Sequence, residues 1–180
     1  MIKRHIISFV FSASALLLAI PAYGTLLDLT VEYEGTINGA IFQRFSPETS
    51  TGTGLIEPFV RIQGQGVQEG YNTDGTAEFD TKSSLWTSSL LLNNVAVVVI
   101  DGVNYRGFLL DINQSKGSRS LLSLDELKIY LEPSGDISAY PESFGSPVYD
   151  LDAGQDSWVK LDTGLAGSGS GSGDMLALIP

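Results

Sequence analysis

The chain has 180 residues, with 21 acidic side chains against 10 basic ones, one histidine, no cysteine and a formal charge of −11. Without cysteine there is neither a disulfide-stapled scaffold nor a thiol nucleophile. The acidic balance argues against nucleic acid, whose phosphates need cationic neutralisation, and leaves divalent cations and uncharged partners open.

The first 24 residues read as a cleavable export signal. Lys3 and Arg4 precede an apolar run from Ile6 to Ile20, and Pro21-Ala22-Tyr23-Gly24 follows. A basic start, a short apolar stretch and small residues at −3 and −1 are the parts of a signal peptide, with Ala22 and Gly24 in the two small positions if cleavage falls before Thr25. The run of about 15 apolar residues is short of the ~20 that cross a bilayer core. Lys3, Arg4 and the single histidine, His5, leave with this segment, so the remaining 156 residues carry 8 basic and 21 acidic groups, a formal charge of −13. That remainder has no histidine and no cysteine. Ser-His-Asp and Cys-His nucleophiles and ordinary zinc ligand sets are therefore excluded from it.

After the signal, short apolar or alternating runs are broken by Gly, Asn, Asp, Ser and Pro. Leu27–Tyr33 alternates with period two and predicts a half-buried strand, as does the stretch from Glu57 to Gln63. Trp86–Leu92 and Val95–Ile100 are rich in large and β-branched residues, with a reversal predicted at Asn93-Asn94. Asp101-Gly102 predicts a hairpin between Val95–Ile100 and Tyr105–Asp111. Ser120–Leu131 is ambiguous: Ser123-Leu124-Asp125-Glu126 has capping-box spacing, but the leucines and Ile129 also alternate with one slip at Asp125-Glu126. A strand with a polar turn or bulge at that slip is the favoured reading. Trp158–Asp162 and Met175–Ile179 are the last strand candidates, separated by the Gly/Ser-rich stretch Gly167–Gly173. An exposed apolar terminal strand invites aggregation, so Met175–Ile179 either pairs back into the sheet or is followed by more chain.

These patterns predict an all-β fold, an antiparallel β-sandwich or jelly-roll-like domain. The expected organisation is a signal peptide at 1–24, a β-sandwich domain at 25–166, and a Gly/Ser-rich segment with a terminal strand at 167–180.

Several blocks resemble, in the same order, a family of exported bacterial proteins that carry a C-terminal PEP-CTERM sorting signal. They are Trp86–Leu92, Gly107–Gln114, Leu121–Leu127, Val148–Asp152, Asp156–Leu161 and Gly169–Pro180. The resemblance implies general secretion in a Gram-negative bacterium, sorting at the envelope by an exosortase, and an exopolysaccharide- or biofilm-producing setting. It implies no particular activity. The chain departs from the family in having no Pro-Glu-Pro motif, no C-terminal apolar span and no basic tail, so the expectation is a protein that continues beyond Pro180.

Two acidic groupings are candidate calcium sites, since calcium takes six to eight oxygen ligands. Asp111, Asn113 and Asp125, with Glu126, flank the polar stretch from Gln114 to Ser120. Asp150, Asp152 and Asp156 form the second, in which Gly154 falls one place early for a calcium loop and Leu161 stands where the twelfth-position acid would be. Ordinary turn duty, with side chains bonded to nearby backbone, is the competing reading of both. Trp86, Trp158, Tyr33, Tyr71, Tyr105 and Tyr149 include possible sugar-stacking rings, against a default of core packing.

The functional expectation is a non-enzymatic exported protein of the outer envelope or extracellular matrix, structural or adhesive in character. A carbohydrate-binding module for exopolysaccharide or other glycans, with or without calcium, is the alternative. A carboxylate-dependent glycan-active enzyme stands third.

Overall fold

Two tight turns shape the largest sheet. Asn38-Gly39 and Asp101-Gly102 carry positive φ at both residues, 50° and 85° in the first and 50° and 81° in the second. Consecutive left-handed residues make the type I′ turn whose twist suits paired strands, and glycine adopts that φ without a Cβ clash. The first turn joins β2 (Glu34–Ile37) to β3 (Ala40–Arg44), and the second joins β4 (Val97–Ile100) to β5 (Val103–Leu110). The β4–β5 hairpin is the one predicted at Asp101-Gly102, with β5 beginning two residues before Tyr105. The β2–β3 hairpin lies where no strand pair is predicted.

The computed structural model describes residues 24–45, 58–83, 85–112, 120–165 and 173–180. β10 (Met175–Ile179) inserts between the two hairpins to give a five-stranded antiparallel sheet of order β2-β3-β10-β5-β4. Of the two fates predicted for Met175–Ile179, it thus takes the first and pairs back. A three-stranded sheet has β9 (Ser157–Asp162) at its centre, with β1 (Thr25–Asp28) parallel on one side and β6 (Leu121–Leu124) antiparallel on the other. β7 (Lys128–Ile129) and β8 (Tyr149–Asp150) form a small antiparallel ribbon.

The sheets pack face to face as an all-β sandwich. Ala40 and Phe42 of β3 and Met175, Ala177 and Ile179 of β10 meet Val159 and Leu161 of β9 in one buried cluster, to which Leu122 and Leu124 of β6 add partly buried surface. Alternation decides this on β9, where Ser157, Val159 and Leu161 point inward while Trp158, Lys160 and Asp162 stay partly open. β10 instead buries Leu178 as well as its core-facing residues. A strand buried on both faces reads as a continuous apolar run, which is the pattern of Met-Leu-Ala-Leu-Ile.

Four predicted segments are corrected. The strand at Leu27–Tyr33 stops at Asp28, because its carboxylate takes the Thr30 N–H at 3.0 Å and its carbonyl takes the N–H groups of Val31 and Glu32. Such side-chain-to-backbone bonding competes with the ladder and turns the chain. The stretch from Glu57 to Gln63 yields, among the described residues, only a bridge from Ile62 to Thr81. Trp86–Leu92 is not a strand. It runs through a turn into a 3-10 turn at Leu92–Asn94, and its leucines Leu90, Leu91 and Leu92 stay exposed, with no strand among the described residues paired to them. Finally, 120–131 is extended as favoured, yet it is two strands rather than one: at Asp125–Leu127 the chain leaves the three-stranded sheet for the β7–β8 ribbon.

Candidate functional site

The outer face of the three-stranded sheet carries a groove. On β9 the inward turn of Val159 and Leu161 forces Trp158 and Lys160 outward. Register sets Trp158 beside Leu26 of β1, and Lys160 between Asp28 of β1 and Ser123 of β6. Leu121, Leu122, Ser123 and Asp125 complete a shallow, open cavity of about 360 Å³ around Trp158 and Lys160.

Charge organises the floor. The Lys160 ammonium lies 2.9 Å from Asp28 Oδ2, both side chains partly open to solvent. A bridge of that exposure is screened by solvent and adds little to stability, but it holds the lysine's long stem across the sheet. The Thr30 side chain, and then Lys160, hold the Asp28 carboxyl below the usual carboxylate range. Trp158 is braced from the other side: a Cβ added at Gly24 would lie 2.7 Å from the ring atom Cζ3 and 2.2 Å from the carbonyl oxygen of Asp156. An aromatic ring, a cation, carboxylates and a hydroxyl thus share one rigid sheet face. That is the donor, acceptor and stacking set that polyhydroxylated ligands use.

Three of the other aromatic residues singled out from sequence are engaged elsewhere, while Tyr33 is 48% exposed away from the groove. Tyr149 is core, with its ring 6.5 Å from Phe42 and its hydroxyl donating to the Ile37 carbonyl at 3.1 Å. Trp86 sits under the Arg61 guanidinium at 5.1 Å. Tyr71 belongs to a cluster with Phe79, Tyr130, Tyr140 and Phe144, whose centroids lie 5.1–6.4 Å apart in tilted and edge-to-face contacts. Burial pushes the Tyr71 and Tyr130 hydroxyls up to about 12. The Glu78 carboxylate accepts from the Tyr71 hydroxyl and from the Ala139 and Tyr140 N–H groups, which ties two irregular segments together. These rings pack on one another in a partly buried surface cluster, with Phe79 still 53% exposed. Of the six aromatics singled out from sequence, Trp158 alone lines the groove.

The predicted acidic sites are distributed as follows. Asp125 lines the groove. Asp111 follows β5 and faces the buried Asp174, whose carboxyl its charge helps to raise. Asn113 lies outside the described residues. Asp150 Oδ1 accepts the Asp152 N–H at 2.9 Å, Asp152 Oδ1 accepts the Ser157 N–H at 2.8 Å, and the Asp156 carbonyl accepts the Thr25 N–H at 3.0 Å. Asp150 and Asp152 therefore shape the turn that delivers the chain into β9. Among the described residues, no three acidic side chains gather into a group able to hold a metal ion. Sequence reasoning missed Lys160 and Ser123 as groove residues and Asp28 as the partner of Lys160; alternation about Trp158 places Lys160 on its face, but the partners of β9 are remote in sequence.

No family model, curated protein or solved structure matches this chain.

Proposed function

We propose that the chain is an exported, non-enzymatic, adhesive protein of the bacterial outer envelope or extracellular matrix that binds glycan, such as exopolysaccharide, in the Trp158 groove. The observation that carries this reading is the placing of Trp158 beside Lys160 and Ser123 on one outer sheet face, with Asp125 at the groove's edge. A sugar ring stacks its C–H face on indole while its hydroxyls exchange hydrogen bonds with carboxylate, ammonium and hydroxyl. The reading does not need calcium, since Asp150 and Asp152 already bond backbone within their turn.

Export rests on the composition of residues 1–24, and the PEP-CTERM resemblance supports an envelope destination, with exosortase as a partner if the full protein carries the sorting signal. Cleavage before Thr25 would also remove Gly24, which packs against Trp158 in the uncleaved chain.

Fluorescence tests the proposal. Trp86 and Trp158 are the two tryptophans, so a Trp86→Phe background leaves Trp158 as the sole reporter. Titration with exopolysaccharide fragments should shift its emission, and Trp158→Ala should weaken binding by about five-fold or more, given about 1–3 kcal/mol for stacking on an aromatic ring. A glycan array without hits, or full binding by Trp158→Ala, would overturn it. N-terminal sequencing of secreted protein should begin at Thr25.

A further inference from the structure

The five-stranded sheet has two edges, β2 and β4, and they are finished differently. On β2, Glu34 puts a charge on the strand, and Gly35 has Leu27 of β1 packed where a side chain would stand. β4 is Val97-Val98-Val99-Ile100, with no charge, and its valines are 50%, 44% and 64% exposed. Among the described residues it pairs with β5 alone. An exposed apolar edge without charge, proline or bulge is a template for another strand.

We propose that β4 is a self-association edge, which pairs antiparallel with β4 of a second copy about a two-fold axis at Val98. Backbone geometry defines the register. Ile100 and Val103 flank the two-residue Asp101-Gly102 turn and so form its hydrogen-bonded closing pair. Alternation then turns the N–H and C=O groups of Val97 and Val99 toward the open edge. Two such edges bond to each other when Val97 faces Val99 of the second copy, which places Val98 opposite itself in a non-hydrogen-bonded pair. Side-chain alternation is preserved, so both faces of the joined sheet stay continuous.

The strand is self-complementary in this register. Every pair is valine on valine or Ala96 on Ile100, which suits the cross-strand contacts of β-branched residues. Copies of a chain with a formal charge of −11 repel one another, and this edge lets them meet without opposed carboxylates. The one acid at its end, Asp101, falls opposite Val95 of the second copy. The carbonyls of Val95 and Leu92 hold the Arg106 guanidinium, so acid meets base at both ends of the pairing. A single strand edge buries less than the roughly 1,200 Å² of a stable complex. The product is therefore a reversible dimer that grows with concentration rather than an obligate one.

The absence of native cysteine makes the register directly readable. In a non-hydrogen-bonded pair the Cα atoms lie about 4.5 Å apart, within disulfide reach. Val98→Cys should therefore oxidise to a covalent dimer, about ten-fold faster than Val99→Cys, whose two copies are diagonal at roughly 7–8 Å. Sedimentation of the purified protein from about 5 to about 500 μM should show a monomer–dimer equilibrium, the range expected of a small interface. Val99→Pro, which removes an outward N–H that the β4–β5 ladder does not use, should shift it to monomer while keeping the far-ultraviolet circular dichroism. A monomer throughout that range overturns the proposal, and so does equal crosslinking by the two cysteine variants. Should the proline variant fail to fold, the cysteine comparison decides alone.

Discussion

Asp174 is a buried carboxyl whose removal should stabilise the protein at neutral pH. It precedes β10, is 7% exposed, and accepts the Ile112 N–H at Oδ2 over 2.5 Å. Burial, aided by the charge of Asp111 and opposed by the Ile112 hydrogen bond, raises its pKa from 3.8 to about 6. The folded state thus keeps its proton up to about pH 6, whereas the unfolded chain releases it near 3.8. Between those values the folded state binds more protons, so this group's contribution to stability falls as pH rises and the penalty is complete above pH 6. A shift of about two units corresponds to about 2–3 kcal/mol. Asp174→Asn keeps an acceptor for Ile112 and cannot ionise. Urea unfolding from pH 4 to pH 7.5 should show the variant within about 1 kcal/mol of the parent at the acid end and about 2 kcal/mol more stable at the neutral end. Asp28 and Glu78, whose carboxyls are held low, titrate the opposite way in both proteins and cancel in the difference. A difference that stays constant across the range would refute the reasoning.

Three further substitutions test the frame. Phe42 is 0% exposed in the central core, so Phe42→Ala should cost about 3–5 kcal/mol in denaturant unfolding, an amount a marginal domain barely survives. Gly102 has φ +81° with nothing within 4 Å of an added Cβ; Gly102→Ala should therefore cost only the left-handed backbone strain, about 1–2 kcal/mol in the same assay. Asp152→Ala removes the acceptor of the Ser157 N–H and should lower stability by about 1 kcal/mol, seen as a melting point lower by about 2–4 °C for a chain of this size.

What was legible in the sequence is what depends on neighbours along the chain. The residue types of Trp158–Asp162 marked β9 as a strand, and Asp101-Gly102 marked a hairpin, because strand preference and positive φ are local requirements. Asn38-Gly39 carries the same turn chemistry between alternating residues, and its hairpin was there to be read. The false strand at Trp86–Leu92 has the other cause: apolar content is necessary for a strand but needs a partner strand, and among the described residues these leucines have none. The groove was half legible. Trp158 and Asp125 stand out as residue types, but Asp28 reaches Lys160 across 132 residues through a parallel pairing that local pattern does not announce.

β10 carries the clearest consequence of that non-locality. It lies between β3 and β5 and bonds to both, so until it arrives each hairpin keeps one inner edge unpaired. The faces it fills are apolar on both sides, with Ala177 between Phe42 and Phe108 toward the core and Leu178 between Ile41 and Gly107 outside. An added Cβ at Gly107 would meet Leu176 and Leu178 at 3.4 and 3.6 Å, ordinary van der Waals contact, so these two leucines already cover the strand pair there. Closing the sheet requires joining the two hairpins through a segment more than sixty residues from β5, and long-range pairing of that kind is slow. β10 closes the inner edges of β3 and β5, and β4 is the apolar edge that the finished sandwich leaves open.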